Sequence, residues 1–226
     1  DDDSVRLANA AFAVSGATHI ELGEGDQMLG HPYFPNQSKQ MRSSLKAATK
    51  DYYDFITAYE TLLFAPDLVY GDSGTQWISI TGETLSGDGT SGTIWVANRR
   101  NRDYDVLHLV NLAGNDNEWR NEAATPTTKT NLAVKYRLGP NVSASGVYLA
   151  SPDADDGKTS SLSYTTGSDS NGNFVSFTVP SLKYWDMIYV KRTFTAPSGG
   201  RYEAESAVRN AVTTNTDHTG YSGTGC

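Results

Sequence analysis

The spacing of apolar residues changes once along this chain, near residue 66. Before that point it is helical: Val5, Leu7, Ala8, Ala11, Phe12 and Val14 fall largely on one face, with Ser4 placed to cap a helix and Gly16 to stop it. Residues 18–22 then read as a short strand, and a loop crowded with acids, histidine and aromatics follows. Met41, Leu45, Ala48, Tyr52, Phe55, Ile56, Tyr59, Leu62 and Leu63 next mark a long helix over about 38–64, which Pro66 ends. A helix of that length is expected to break near 47–50. The order of helix, strand, polar loop and helix is the one by which an α/β barrel presents a site at the carboxyl end of a strand.

After residue 66 no helical period survives. Strand patterns recur at 68–70, 77–80, 93–98, 104–112, 133–137, 146–150, 162–165, 174–179 and 187–191. Asp88-Gly89, Asp156-Gly157 and Asn171-Gly172 supply turns between them. Many short strands joined by tight turns predict an antiparallel β-sandwich. Small residues at 196–200 read as a linker, and 201–226 is too short to hold a core of its own.

Composition narrows the partners. The chain has 226 residues, a formal charge of −8 and 13 tyrosines. An acidic surface argues against nucleic acid, whose phosphates need clustered lysine and arginine. No apolar run approaches the ~20 residues that span a bilayer, so no membrane is expected either. A neutral polysaccharide or small polar ligand fits better. The only cysteine, Cys226, allows no intrachain disulfide. The chain opens on Asp1-Asp2-Asp3 without an initiating methionine or signal peptide, and reads as a segment of a longer protein.

Three stretches carry a family resemblance: Gly16-Ala17-Thr18-His19-Ile20-Glu21-Leu22-Gly23, then His31-Pro32-Tyr33-Phe34-Pro35-Asn36, then Tyr52-Tyr53-Asp54-Phe55-Ile56-Thr57-Ala58-Tyr59-Glu60. Together they resemble the last barrel repeat of glycoside hydrolase family 66, the endo-dextranases and cycloisomaltooligosaccharide glucanotransferases. Tyr104-Asp105-Val106-Leu107-His108-Leu109-Val110-Asn111-Leu112 with Trp119-Arg120, and Val147-Tyr148-Leu149-Ala150-Ser151-Pro152-Asp153, resemble the family's carboxyl-terminal sandwich.

The fold class implied is a multi-domain α+β fragment. It has the last βα unit of a (β/α)8 barrel at 1–66, an antiparallel Greek-key β-sandwich at 67–195, a linker at 196–200 and the truncated start of a carbohydrate-binding module at 201–226. That tail, Arg201-Tyr202-Glu203-Ala204-Glu205 with Gly220-Tyr221-Ser222-Gly223-Thr224-Gly225, is similar to modules of families 6 and 35, in which Glu203 or Glu205 would help hold a structural calcium. The resemblance implies a secreted bacterial enzyme acting on α-1,6-glucan, with endo-dextranase favoured over the cyclising enzyme. It also implies retention of anomeric configuration, which takes two carboxyls about 5–5.5 Å apart. Both are expected on earlier barrel strands, upstream of Asp1, so no catalytic residue is assigned here and no cofactor is required.

Glu21, Glu24, Asp26, His31 and Tyr33 are the candidate substrate contacts, since sugar hydroxyls are read by carboxylates and sugar rings by aromatic faces. Glu21 and Glu24 stand too close in sequence to face each other across a sugar as a catalytic pair. Gly71-Asp72-Ser73-Gly74 reads as a turn rather than a protease nucleophile. Asp153, Asp155, Asp156 and Gly157 lack the spacing of a calcium loop and read as an acidic turn. His108 is expected as a hydrogen-bonded sheet residue. Among Trp77, Trp95, Trp119 and Trp185, the polar surroundings of Trp119 single it out for surface sugar binding. The rival class is a non-catalytic carbohydrate-binding or scaffolding sandwich.

Overall fold

The computed structural model describes residues 1–194, except 21–22 and 32–33; side chains of 30–31 and 34–37 are also outside the description. The tail from 195 onward, with Glu203, Glu205 and Trp-free linker sequence before them, lies outside the described residues.

Helix α1 (Asp2–Val14) is capped by Asp1, whose carboxylate accepts from the Ser4 amide at 2.8 Å. The expected cap, Ser4, is instead buried, and its hydroxyl accepts from the Ala123 amide at 2.9 Å. The helix stops as expected at Gly16 (φ 77°). There the Ala17 amide donates to Phe12 O and the Gly16 amide to Ala13 O, the paired bonds of a Schellman close.

The strand expected over 18–22 is not formed in its described part: 17–20 carry no regular structure, and Glu21 and Leu22 lie outside the described residues. In place of the expected loop and helix start stands a separate antiparallel hairpin, β1 (Gln27–His31) and β2 (Phe34–Gln40), paired Gln27 to Gln40 and His31 to Phe34. Arg42 is extended, so α2 begins only at Ser43 and runs to Ala58. The break falls at Tyr59, not near 47–50, and the short α3 (Glu60–Leu63) follows. The Tyr59 hydroxyl donates to Gly157 O at 2.8 Å, anchoring the kinked residue to a loop of the β region.

Eleven strands form the sandwich. One sheet is ordered β10-β9-β13-β7-β6-β3, from β10 (Ser160–Ser161), β9 (Val142–Ala150), β13 (Trp185–Phe194), β7 (Tyr104–Asn111), β6 (Ile94–Arg100) and β3 (Val69–Tyr70); β5 (Leu85–Ser86) adds to β6 in parallel. The other is β11 (Tyr164–Asp169), β12 (Gly172–Leu182), β8 (Lys129–Arg137) and β4 (Ile78–Ile80), all antiparallel. The 162–165 pattern resolves into β10 and β11, and β5 had no apolar signal because it is two residues long.

The larger sheet is covered on both faces. Its alternate residues Ile94, Val96, Leu107, Leu109, Ile188 and Val190 meet Val134, Tyr136, Val175 and Phe177 of the smaller sheet. Residues of opposite parity, Val106, Val110, Trp185 and Met187, meet Leu7, Ala10, Tyr52, Phe55 and Leu63 of the helices. This explains the unbroken apolar run of β7, which a sheet with one wet face would interrupt. Residues Asp1–Phe194 form one compact unit, and the boundary expected at 66–67 falls inside it.

Candidate functional site

The acid-rich segment is a tight turn. The Gln27 amide donates to Glu24 O at 3.1 Å and the Gly23 amide to Gln27 O at 2.7 Å. Gly25 sits at φ 62°, a conformation that costs glycine nothing. The turn is tied to the foot of α2, where the Met41 amide donates to Asp26 O at 2.7 Å and Lys46 pairs with the Asp26 carboxylate. Beneath it Met28 packs on Val5, Met41 and Leu45.

Of the five expected contacts, the structure brings Glu24 and Asp26 side by side on this exposed turn. His31 belongs to β1 by its backbone, with its side chain outside the description; Glu21 and Tyr33 lie outside the described residues. His19 stacks on the half-exposed Phe12 ring at 4.7 Å, giving a histidine–aromatic face beside the α1 close. The site can therefore offer carboxylate acceptors and an ammonium donor to hydroxyl groups. Among its described residues there is no opposed pair of carboxyls for displacement at an anomeric carbon.

Two buried titratable groups, Asp153 and His108, lie elsewhere, in the seam between helices and sheet. Asp153 is buried, and its carboxylate accepts from the Tyr52 hydroxyl at 3.0 Å and from the Trp185 and Tyr184 amides at 3.0 and 3.3 Å. Arg6 of α1 approaches it at 3.6 Å. Burial raises its pKa against the pull of those donors. Asp186, on the next strand position, is 1% exposed and burial pushes its pKa up to about 8. His108 accepts from the Trp185 indole N–H at 3.2 Å, and burial brings its pKa down to about 3, so it is neutral as a sheet residue should be.

Asp153 is enclosed by Tyr52 of α2, Arg6 of α1 and the start of β13, so it joins the helices to the sheet and cannot meet a sugar. Asp186 alternates with Trp185 and so points to the sheet's other face, where Ile188 packs. Nothing local marks Asp153 out, because it stands beside Asp155 and Asp156 and reads with them as a surface turn. Trp119 corrects another expectation: it is 5% exposed and packs in the helix-facing core, so it is no surface platform. Among the described residues no group of His, Cys, Asp or Glu is arranged to hold a metal ion, and Glu203 and Glu205 lie outside them. No helix among the described residues is long and apolar enough to cross a membrane.

The described residues thus form a helix-backed antiparallel sandwich with an acidic turn at the foot of its second helix. The chain belongs to glycosyl hydrolase family 66, whose model matches residues 1–189. It is 56% identical over 225 residues to a cycloisomaltooligosaccharide glucanotransferase of Niallia circulans, covering 100% of this chain and 23% of that protein. A dextranase of Streptococcus salivarius is 28% identical over 218 residues, covering 86% of this chain and 26% of the relative. Among solved structures, the Paenibacillus sp. cycloisomaltooligosaccharide glucanotransferase complexed with cycloisomaltoheptaose superposes with a TM-score of 0.80 at 56% identity, over 84% of this chain and 27% of that one. The chain thus spans about a quarter of the length of these relatives. The expected preference for endo-dextranase is not supported, since the cyclising enzymes are twice as similar.

Proposed function

We propose that this chain is the barrel-closing and sandwich portion of a secreted, cyclising transglycosylase of α-1,6-glucan. The observation that carries this is the 56% identity along the whole chain to an enzyme of that name. In the parent, residues 1–66 complete a (β/α)8 barrel and the turn at Glu24 and Asp26, with Glu21, His31 and Tyr33, lines the entrance to its sugar cleft. A polymeric glucan is too large to enter a cell, which supports reading the enzyme as secreted.

The chemistry proposed is retaining. A carboxylate nucleophile outside this chain displaces the leaving sugar, forming a glycosyl-enzyme ester, while an acid/base carboxyl protonates the departing oxygen. In cyclisation the 6-hydroxyl at the far end of the same glucan then attacks the anomeric carbon, gives its proton to the acid/base carboxylate and frees the nucleophile. Water in that place gives hydrolysis. Residues of this chain hold the glucan so that its end returns to the ester; they do not touch the reacting bond.

The test is kinetic. In the parent enzyme, Glu24→Gln with Asp26→Asn should raise KM for isomaltooligosaccharides several-fold and change kcat little, the pattern of lost substrate binding. A fall in kcat of about ten-thousand-fold with KM unchanged would mark them as catalytic and overturn the assignment. The burial of Trp119 removes that side chain as a platform for the non-catalytic binding-module alternative.

A further inference from the structure

At one end of the sandwich three connections meet: the segment between β3 and β4, the turn between β8 and β9, and the hairpin turn between β11 and β12. They enclose a cleft of about 510 Å³ lined by Asp72, Gln76, Trp77, Arg100, Arg137 and Asn171, with Gly139 and Pro140 on its rim. Its walls are fixed by backbone bonds. The Arg137 amide donates to Trp77 O at 2.8 Å, the Leu138 amide to Asn173 O at 2.9 Å, and the Trp77 indole N–H to Gly74 O at 2.9 Å.

The charges of the cleft are balanced in pairs. Arg100 donates through Nε to the buried Asp105 at 3.0 Å and through Nη2 to Asp72 at 3.1 Å, so one guanidinium is rooted in the core and reaches the rim. Arg137 pairs with Asp169, whose carboxyl it holds well below the usual range with help from Lys135. An anion would meet carboxylates beside each guanidinium. A neutral ligand rich in hydroxyls would not, because each hydroxyl both donates and accepts and can bridge a guanidinium N–H to a neighbouring carboxylate or amide oxygen. Gln76 and Asn171 are exposed amides contributed by two of these connections, each offering a donor and an acceptor. Paired planar polar groups around a concave, preformed space make a site for vicinal hydroxyls.

We propose that this cleft is an accessory glucan site, binding one to a few glucosyl units of the polymer away from the reacting bond. The choice of an α-1,6-linked ligand rests on the function proposed above; the polyhydroxyl class rests on the cleft alone. It lies in the sandwich and uses none of Glu24, Asp26 or Trp119.

The test is a ¹H–¹⁵N NMR titration of the 226-residue chain with isomaltotetraose, and separately with inorganic phosphate. The sugar should shift the Trp77 indole, Gly74, Gly139 and Asn171 signals in a saturable way, and Gln76→Ala with Asn171→Ala should weaken binding about tenfold while leaving the rest of the spectrum superimposable. Absence of shifts at these signals, or shifts with phosphate and not with sugar, would overturn the site. The same double variant in the parent should turn over short isomaltooligosaccharides normally and lose rate only on long dextran. Dextran turnover by the unaltered parent reports separately on the proposed activity, so failure of the cleft and failure of the function are told apart.

Discussion

Burial holds the Asp186 carboxyl protonated up to about pH 8, well above the range of a solvated carboxylate. The unfolded chain releases that proton near pH 4, so between about 4 and 8 the native state binds more protons than the unfolded one. Its stability therefore falls as pH rises through that window, by up to about 1.4 kcal/mol per unit from this group. Asp186→Asn keeps the shape without the charge. Melting temperatures between pH 5 and 8 should fall less steeply in the variant than in the parent sequence; an identical slope would mean that Asp186 ionises freely in the fold. Asp153 has more partners, and burial still raises its pKa, so its ionisation adds to the same fall. Asp153→Ala strands the Tyr52 hydroxyl, two backbone amides and Arg6, and should cost roughly 3–5 kcal/mol in urea unfolding. The exposed pair of Asp26 and Lys46 is a contrast, both side chains being 53% exposed. Lys46→Ala should change stability by less than about 0.5 kcal/mol in the same experiment.

At the scale of elements, much of the β region was legible because strands with one covered face announce it. In β8 and β12 buried and exposed residues largely alternate, as one covered face requires. The helical region was legible only in part. Apolar spacing located α1 and α2, yet Met41, which continues the helical period of α2 and packs with Leu45 and Val5, stands before the helix begins. No local signal separates it from the helix, since the period is the same until Arg42 turns the chain. The hairpin β1–β2 was missed because its Gly, Pro, Asn and Gln residues carry turn chemistry rather than strand pattern. Gly16, in contrast, was readable: at φ 77° an added Cβ would stand 2.3 Å from the Arg99 guanidinium. Gly16→Ala should lower stability by about 1 kcal/mol or more, read from the melting temperature, with little change in helix content by circular dichroism.

For the whole molecule, the candidate site was legible as composition and illegible as geometry. Glu24 and Asp26 do meet on one turn, but Trp119 turned inward because a polar stretch in sequence, 115–118, folds over an apolar floor. The helices and sandwich share one buried sheet, so the part of the chain assigned to a barrel and the part assigned to a sandwich stand or fall together. Leu7→Ala in α1 should then destabilise the entire unit, by about 2–5 kcal/mol, with helix and sheet signals lost in a single transition. The most direct test of the central claim is the mass spectrum of products formed from dextran by the parent enzyme. Isomaltooligosaccharides each lighter than their linear counterparts by one water, and without a reducing end, are the result predicted for a cyclising glucanotransferase. Linear products alone, carrying a reducing end and the full mass, would contradict it.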